Sequence, residues 1–249
     1  MESVMLTQEQ HHIIMEHMRH SMMNKAVQVH YTAEKCFRLR EGLIRSATRY
    51  REDAALMTPL QNRQYRLINS IAADREGVKD ATQERQLLSR AREQYGLIGM
   101  MQQQLNDIAS GLMLSADTLL FTLLKAQHYQ WRDRLYMAVL TEQPGAALAE
   151  ENACPLGQWL CTEGGRRFCT QPGFRALREA HHQMHVTAAL LFDRPLTEMP
   201  AGVLKARLQH TEDASQHLMG SLDALEKMVS SLYPDGRDSP CSQKTDGKV

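Results

Sequence analysis

The feature that most constrains this chain is an apolar stripe recurring in steps of three and four over about fifty residues, the period of one face of an α-helix. It runs Met15, Met18, Met22, Ala26, Val29, Ala33, Cys36, Leu43, Ala47, Tyr50, Ala54 and Met57. At about 1.5 Å per residue this is a rod of roughly 75 Å. A helix of that length takes its stability from packing along the stripe, so the pattern demands a partner helix. Thr7, with Gln10 three residues on, supplies a capping box for its start.

The sequence "LMTPLQ" reads as the end of this rod. Thr58 suits an N-cap, Pro59 the first helical position, and Gln61 closes a second capping box. A second helix is therefore expected to run back antiparallel, with the stripe Leu60, Leu67, Ile71, Val78, Ala81, Leu88, Tyr95, Ile98, Leu105 and Ile108. Gly77, Gly96, Gly99 and Gly111 weaken it, which places a hinge near 96–111. Residues 1–110 thus read as a long antiparallel helical hairpin, a coiled coil whose simplest partner is a second copy of itself.

From residue 111 the pattern sharpens. Leu114, Phe121, Leu124, His128, Trp131, Leu135 and Ala138 share one helix face. A loop over 141–152 follows, then a short segment from Cys154 to Thr162 and a turn. The next helix carries the stripe Phe174, Leu177, His181, His185, Ala188 and Phe192. The last shows a heptad of Leu204, Leu208, Thr211, Ser215, Leu218, Leu222, Leu225, Val229 and Leu232. Residues 111–233 read as a helical bundle, and 234–249 as a disordered tail with too little apolar content to fold. The expected class is all-α, and 15 Met against 5 Phe fits an adaptable helical core.

Lys plus Arg and Asp plus Glu balance at 29 each, so no bulk field recruits nucleic acid or an anionic membrane. No apolar run approaches the roughly 20 residues of a membrane span, and the N-terminus lacks a signal-peptide pattern. The expected location is cytoplasmic, without membrane insertion. Five cysteines, at 36, 154, 161, 169 and 241, are too few and too unevenly spaced for a disulfide scaffold. In the cytosol they are expected as reduced thiols.

Three histidines stand where leucines belong. His128 lies on the inward stripe of one helix, and His181 and His185 on that of another. Each alone reads as a hydrogen-bonded core residue, but three inward imidazoles in one bundle are costly unless something satisfies them. His181 and His185, at i and i+4, can reach a single ion. His128 and the thiolate of Cys154 would complete a tetrahedral N3S set, and zinc suits that set. Cys154 itself stands in "CPLGQWL", where Gly157 and Trp159 read as a packed bend.

"HYQW" (128–131), "CPLGQWL" (154–160) and "HHQMH" (181–185) occur in this order. They resemble the bacterial chemoreceptor zinc-binding (CZB) domain, whose pattern is a His three residues before Trp, then Cys-x-hydrophobic-Gly-x-Trp, then His-x-x-x-His. The resemblance covers about residues 113–233. It implies a four-helix bundle that often dimerises and a zinc ion held by His128, Cys154, His181 and His185. Trp131, Leu156, Gly157 and Trp159 would be packed support. It further implies zinc sensing and, in some members, sensing of hypochlorous acid through the cysteine. Members are commonly fused to a chemoreceptor signalling hairpin or a diguanylate cyclase. Here "GGRRF" (164–168) lacks the acidic residues of a cyclase motif, and 1–110 lacks a receptor signalling tip. The N-terminal helices are then expected to engage a chemoreceptor-array component or a cyclase in trans.

A zinc-bound thiolate is the one ligand an oxidant converts to a sulfenic acid, with loss of metal affinity. Cys161 and Cys169 read either as packing residues or as resolving thiols. His17 and His20 read as a solvated face beside the methionine stripe or as a second, softer metal site, and His182, His210 and His217 as surface residues. Two other readings compete: a coiled-coil adaptor whose zinc only staples the bundle, and a zinc hydrolase. Against the hydrolase, His182 stands where a zincin carries its general-base Glu, and four protein ligands leave no place for water. No enzymatic activity is expected.

Overall fold

The computed structural model describes residues 8–73, 82–141 and 150–233. Its elements are α1 (Gln8–Ala73), α2 (Thr82–Thr141), α3 (Pro155–Cys161), α4 (Glu163–Phe168), α5 (Pro172–Leu190) and α6 (Ala201–Ser230), with 3-10 turns at Glu151–Ala153 and Leu196–Glu198. There is no strand among the described residues, and the fold class is all-α. The expected cap at Thr7, the stripe positions Val78 and Ala81, and the tail 234–249 lie outside the described residues.

The expected break at Thr58 does not occur. α1 runs on to Ala73 with Pro59 inside it. An interior proline removes one hydrogen bond and costs about 3 kcal/mol in an isolated helix. Here Pro59 faces solvent, and Gln102 of α2 reaches across to this turn. Its amide donates to the Ala54 carbonyl at 2.9 Å and to the Thr58 hydroxyl at 2.7 Å. Ala54 on the inner side is fully buried. Packing thus holds a turn that local signals alone would end. α2 likewise passes through Gly96, Gly99 and Gly111 as one helix, so residue 110 falls within an element.

The chain divides into two compact units, one of residues 40–116 and one of 8–39 with 117–232. In the first, α1 and α2 pair antiparallel: Gln64 donates to the Ala91 carbonyl at 3.1 Å, and the Tyr65 and Tyr95 rings lie 5.9 Å apart. Ala47, Ala54, Ile68, Leu88 and Ala109 form its buried seam. In the second, the same pairing recurs, with Lys25 bonded to Asp133 at 2.8 Å and Gln130 to the Ala26 carbonyl at 2.9 Å.

The core of this second unit follows the expected stripes. Phe121, Leu124, His128, Trp131, Leu135 and Ala138 are buried on α2, Phe174, Leu177, His181 and Ala188 on α5, and Thr211, Ser215, Leu218, Leu222, Leu225 and Val229 on α6. Polar ties join the elements at the margins. Lys125 of α2 meets Asp223 and Glu226 of α6 at 2.5 and 2.6 Å. Arg167 of α4 grips the buried Asp117 of α2 through two bonds of 2.6 and 2.5 Å.

One expectation needs correction. α2 holds an 18-residue stretch long and apolar enough to cross a bilayer by length and composition alone. Leu120, Phe121, Leu124 and Leu135 of that helix are buried among protein side chains, the role such composition also serves in a core. Cys36, Cys154 and Cys161 are free thiols.

Candidate metal centre

Cys154 occupies the N-cap of α3 in extended backbone, with Pro155 at the first helical turn. Its sulfur accepts the Gly157 N–H at 3.2 Å. The preceding 3-10 turn folds back over this first turn of α3. A Cβ on Gly157 would lie 2.0 Å from the Glu151 carbonyl oxygen, so only glycine fits. That close approach explains why a cysteine, a proline and a glycine sit together here: cap, helix start and backbone crossing.

Trp159 anchors the segment from below. Its ring packs edge-on against Phe121 at 5.9 Å and Phe174 at 6.2 Å, and tilted against Phe168 at 6.1 Å. Trp131 lies 5.2 Å from His185 and 6.0 Å from His128, so it backs the imidazoles as Trp159 backs the thiol.

The structure brings Cys154, His181 and His185 together, with one donor atom from each within 4.8 Å of the others. Cys154 Sγ lies 3.1 Å from His181 Nε2. The edge of a zinc tetrahedron between sulfur and nitrogen is about 3.5 Å, so this pair is already near metal-binding separation. The His181 and His185 rings are 4.7 Å apart. His128 lines the same cavity but stands outside that close group. Its Nε2 is bonded to Ser215 Oγ at 2.9 Å. The cavity, about 20 Å³, also meets Leu124, Met184 and Gln127. That is room for one water or one ion, since a water needs about 10–15 Å³.

The electrostatics favour the metal-ready form of the imidazoles. Burial lowers His128 and His181 to about 4, and lowers His185 as well. All three are neutral at pH 7, with lone pairs to offer. Burial pushes the Cys154 thiol up, against the opposing Gly157 N–H. A metal must therefore displace a proton from sulfur, and binding is linked to pH.

Glu151 was not singled out by the sequence. Its backbone carbonyl accepts from Cys154 Sγ at 3.4 Å, and its carboxylate lies 3.8 Å from His181 Nδ1 and 2.8 Å from His182 Nδ1. The His182 hydrogen bond pulls Glu151 below the usual carboxylate range. Gln127 also lines the cavity, and its Oε1 is buried without a hydrogen-bond partner among the described residues.

The weaker candidates are placed apart from this centre. His17 and His20 are exposed on α1, and among the described residues the close donor group is the one at Cys154. His182, His210 and His217 are on the surface, as expected. Cys161 is exposed, with its sulfur 3.5 Å from Asn152 Oδ1.

A thiol, three neutral imidazoles and an ion-sized cavity fit zinc: borderline-soft N and S donors and no demand for a redox-active metal. No curated protein and no solved structure matches the chain. The family model of the chemoreceptor zinc-binding domain matches residues 128–191, beginning on His128 and enclosing Cys154, His181 and His185. The likeness covers this stretch within the C-terminal half, and zinc is the metal of that domain.

Proposed function

We propose that the protein is a cytoplasmic zinc-responsive regulator in which His128, Cys154, His181 and His185 hold the ion and Cys154 is the movable corner. The observation that carries this is the place of Cys154. Its sulfur is 3.1 Å from His181, yet it caps a seven-residue helix bounded by turns, while the three histidines stand on long packed helices. Loss of zinc, or oxidation of Cys154 to a sulfenic acid, removes one corner and frees the α3 segment. The helix carrying His128 is the route by which that change biases the α1–α2 pair.

The output is a protein partner engaged by the N-terminal helices. By analogy with CZB fusions it belongs to chemotaxis or cyclic-di-GMP signalling, and the protein acts as a homodimer. The hydrolase reading loses its general base. His182, in the place of a zincin base, is exposed and paired with Glu151.

The test is zinc binding together with helix content. Cys154→Ala should weaken zinc binding at least about tenfold, the scale of losing a charged ligand, with circular dichroism little changed. Unchanged affinity would remove Cys154 from the ligand set. Chelation that leaves the bundle folded but exposes Cys154 to a thiol reagent supports the sensory role. Chelation that unfolds the bundle outright makes the zinc a structural staple.

A further inference from the structure

Ser215 interrupts the leucine stripe of α6 and is completely buried. A hydroxyl in that position is costly unless it is bonded. Its partner is His128, whose Nε2 lies 2.9 Å from Ser215 Oγ. Arg132 Nη1 approaches the same oxygen at 3.4 Å while donating to Glu212 Oε1 at 2.8 Å. Glu212 also accepts from the Tyr136 hydroxyl at 2.7 Å, so the guanidinium is fixed from its far side.

Arginine only donates, so the Ser215 oxygen accepts from it; towards His128 the hydroxyl can donate to a bare Nε2 or accept an Nε2–H, and only the second tautomer leaves a lone pair on Nδ1. A neutral imidazole carries one proton and one lone pair. With the proton on Nε2, the lone pair of His128 is on Nδ1. His181 has the opposite arrangement: its Nε2 faces Cys154 Sγ at 3.1 Å and its Nδ1 faces the Glu151 carboxylate at 3.8 Å.

We infer that Ser215 is a positioning residue of the metal centre: it accepts the Nε2–H of His128, fixes that tautomer, and leaves Nδ1 of His128 as the zinc donor. This rests on the reading of His128 as the fourth ligand. The reasoning is general, because a ligating imidazole is oriented by the partner of its other nitrogen and loses affinity when that partner is removed. It also explains a polar residue in the middle of an otherwise leucine-rich seam, opposite the one histidine of α2 that faces the cavity.

The experiment uses the full-length protein and zinc itself, with affinity measured by competition against a chromophoric chelator. Ser215→Ala should bind zinc about tenfold more weakly, and Ser215→Thr, which keeps the hydroxyl, should recover most of that loss. In cadmium-substituted wild-type protein with isotope-labelled histidine, the metal should couple to Nδ1 of His128 and to Nε2 of His181. Coupling to Nε2 of His128 would overturn the assignment. So would a Ser215→Ala affinity that is unchanged or tighter, the latter marking Ser215 as a competitor for His128. His128→Ala separates the two levels. If it retains full affinity, the four-ligand reading falls as well. If it weakens binding while Ser215→Ala does not, only the role of Ser215 falls.

Discussion

The inward histidines carry a cost in the metal-free chain, and its sign can be worked out. His128 and His181 release their protons near 4 when folded and near 6.5 when unfolded. Between those values the unfolded chain binds more protons, so stability rises with pH across the window and is lost as pH falls from 6.5 towards 4. At about 1.4 kcal/mol per unit, each histidine removes on the order of 3 kcal/mol once the window is crossed. The chelated protein should therefore show a lower urea midpoint at about pH 5 than at about pH 7, and His128→Leu should flatten that difference. A midpoint independent of pH would mean that these rings are solvated. The candidate donors around the cavity were legible because His128, His181 and His185 break apolar stripes and Cys154 breaks an otherwise ordinary bend. Glu151 and Ser215 were not. A serine on a heptad reads as a seam position until the fold sets a histidine against it, and Glu151 meets His181 only because the 3-10 turn folds onto α5.

At the scale of elements, short α4 is tied to α2 by a charged pair as well as by its buried Phe168. Asp117 is almost fully buried on α2, and Arg167 is about one-fifth exposed as it covers both carboxylate oxygens. Glu163 adds a bond of 3.0 Å to the same guanidinium. Removing the guanidinium takes two charge-assisted bonds from a buried carboxylate, a loss of about 3 kcal/mol. Arg167→Ala should lower stability by that order in chemical denaturation. Adding Asp117→Asn should restore part of it, since the cost of burying the carboxylate charge goes with it. A cost that the second substitution does not relieve would place the role of Arg167 in packing over the Phe168 ring, 4.8 Å away. In sequence, the "GGRRF" that carries this residue shows only the lack of a cyclase motif's acidic residues. A buried pair between residues so far apart in the chain leaves no local pattern. Pro59 shows the converse: Thr58, Pro59 and Gln61 form a good local start signal, and the packing of Ala54 with the bonds from Gln102 outweigh it.

For the whole molecule, the decisive residues are those the fold leaves uncovered. Leu60, Leu67 and Ile71 were expected to be the seam of a returning helix. They lie instead on α1, and Leu60 and Leu67 are 60% and 63% exposed, with Leu56 at 69%. Positions 56, 60, 67 and 71 fall at helical spacing on one face. On α2, Leu97, Met101 and Ile108 repeat the pattern and are also exposed. Contiguous exposed apolar surface marks a site of association, and an unfilled heptad face on a long helix is most simply filled by another long helix. Under the homodimer proposed above, a second copy covers these faces. Full-length protein at tens of micromolar should then sediment as a dimer, and Leu60→Glu with Leu67→Glu should make it monomeric. Zinc affinity should survive that change, because every proposed ligand lies in the other compact unit. A wild-type monomer would assign the exposed faces to a different protein. A mutant that stays dimeric would move the interface to the C-terminal bundle, where zinc loss should then alter the association constant directly.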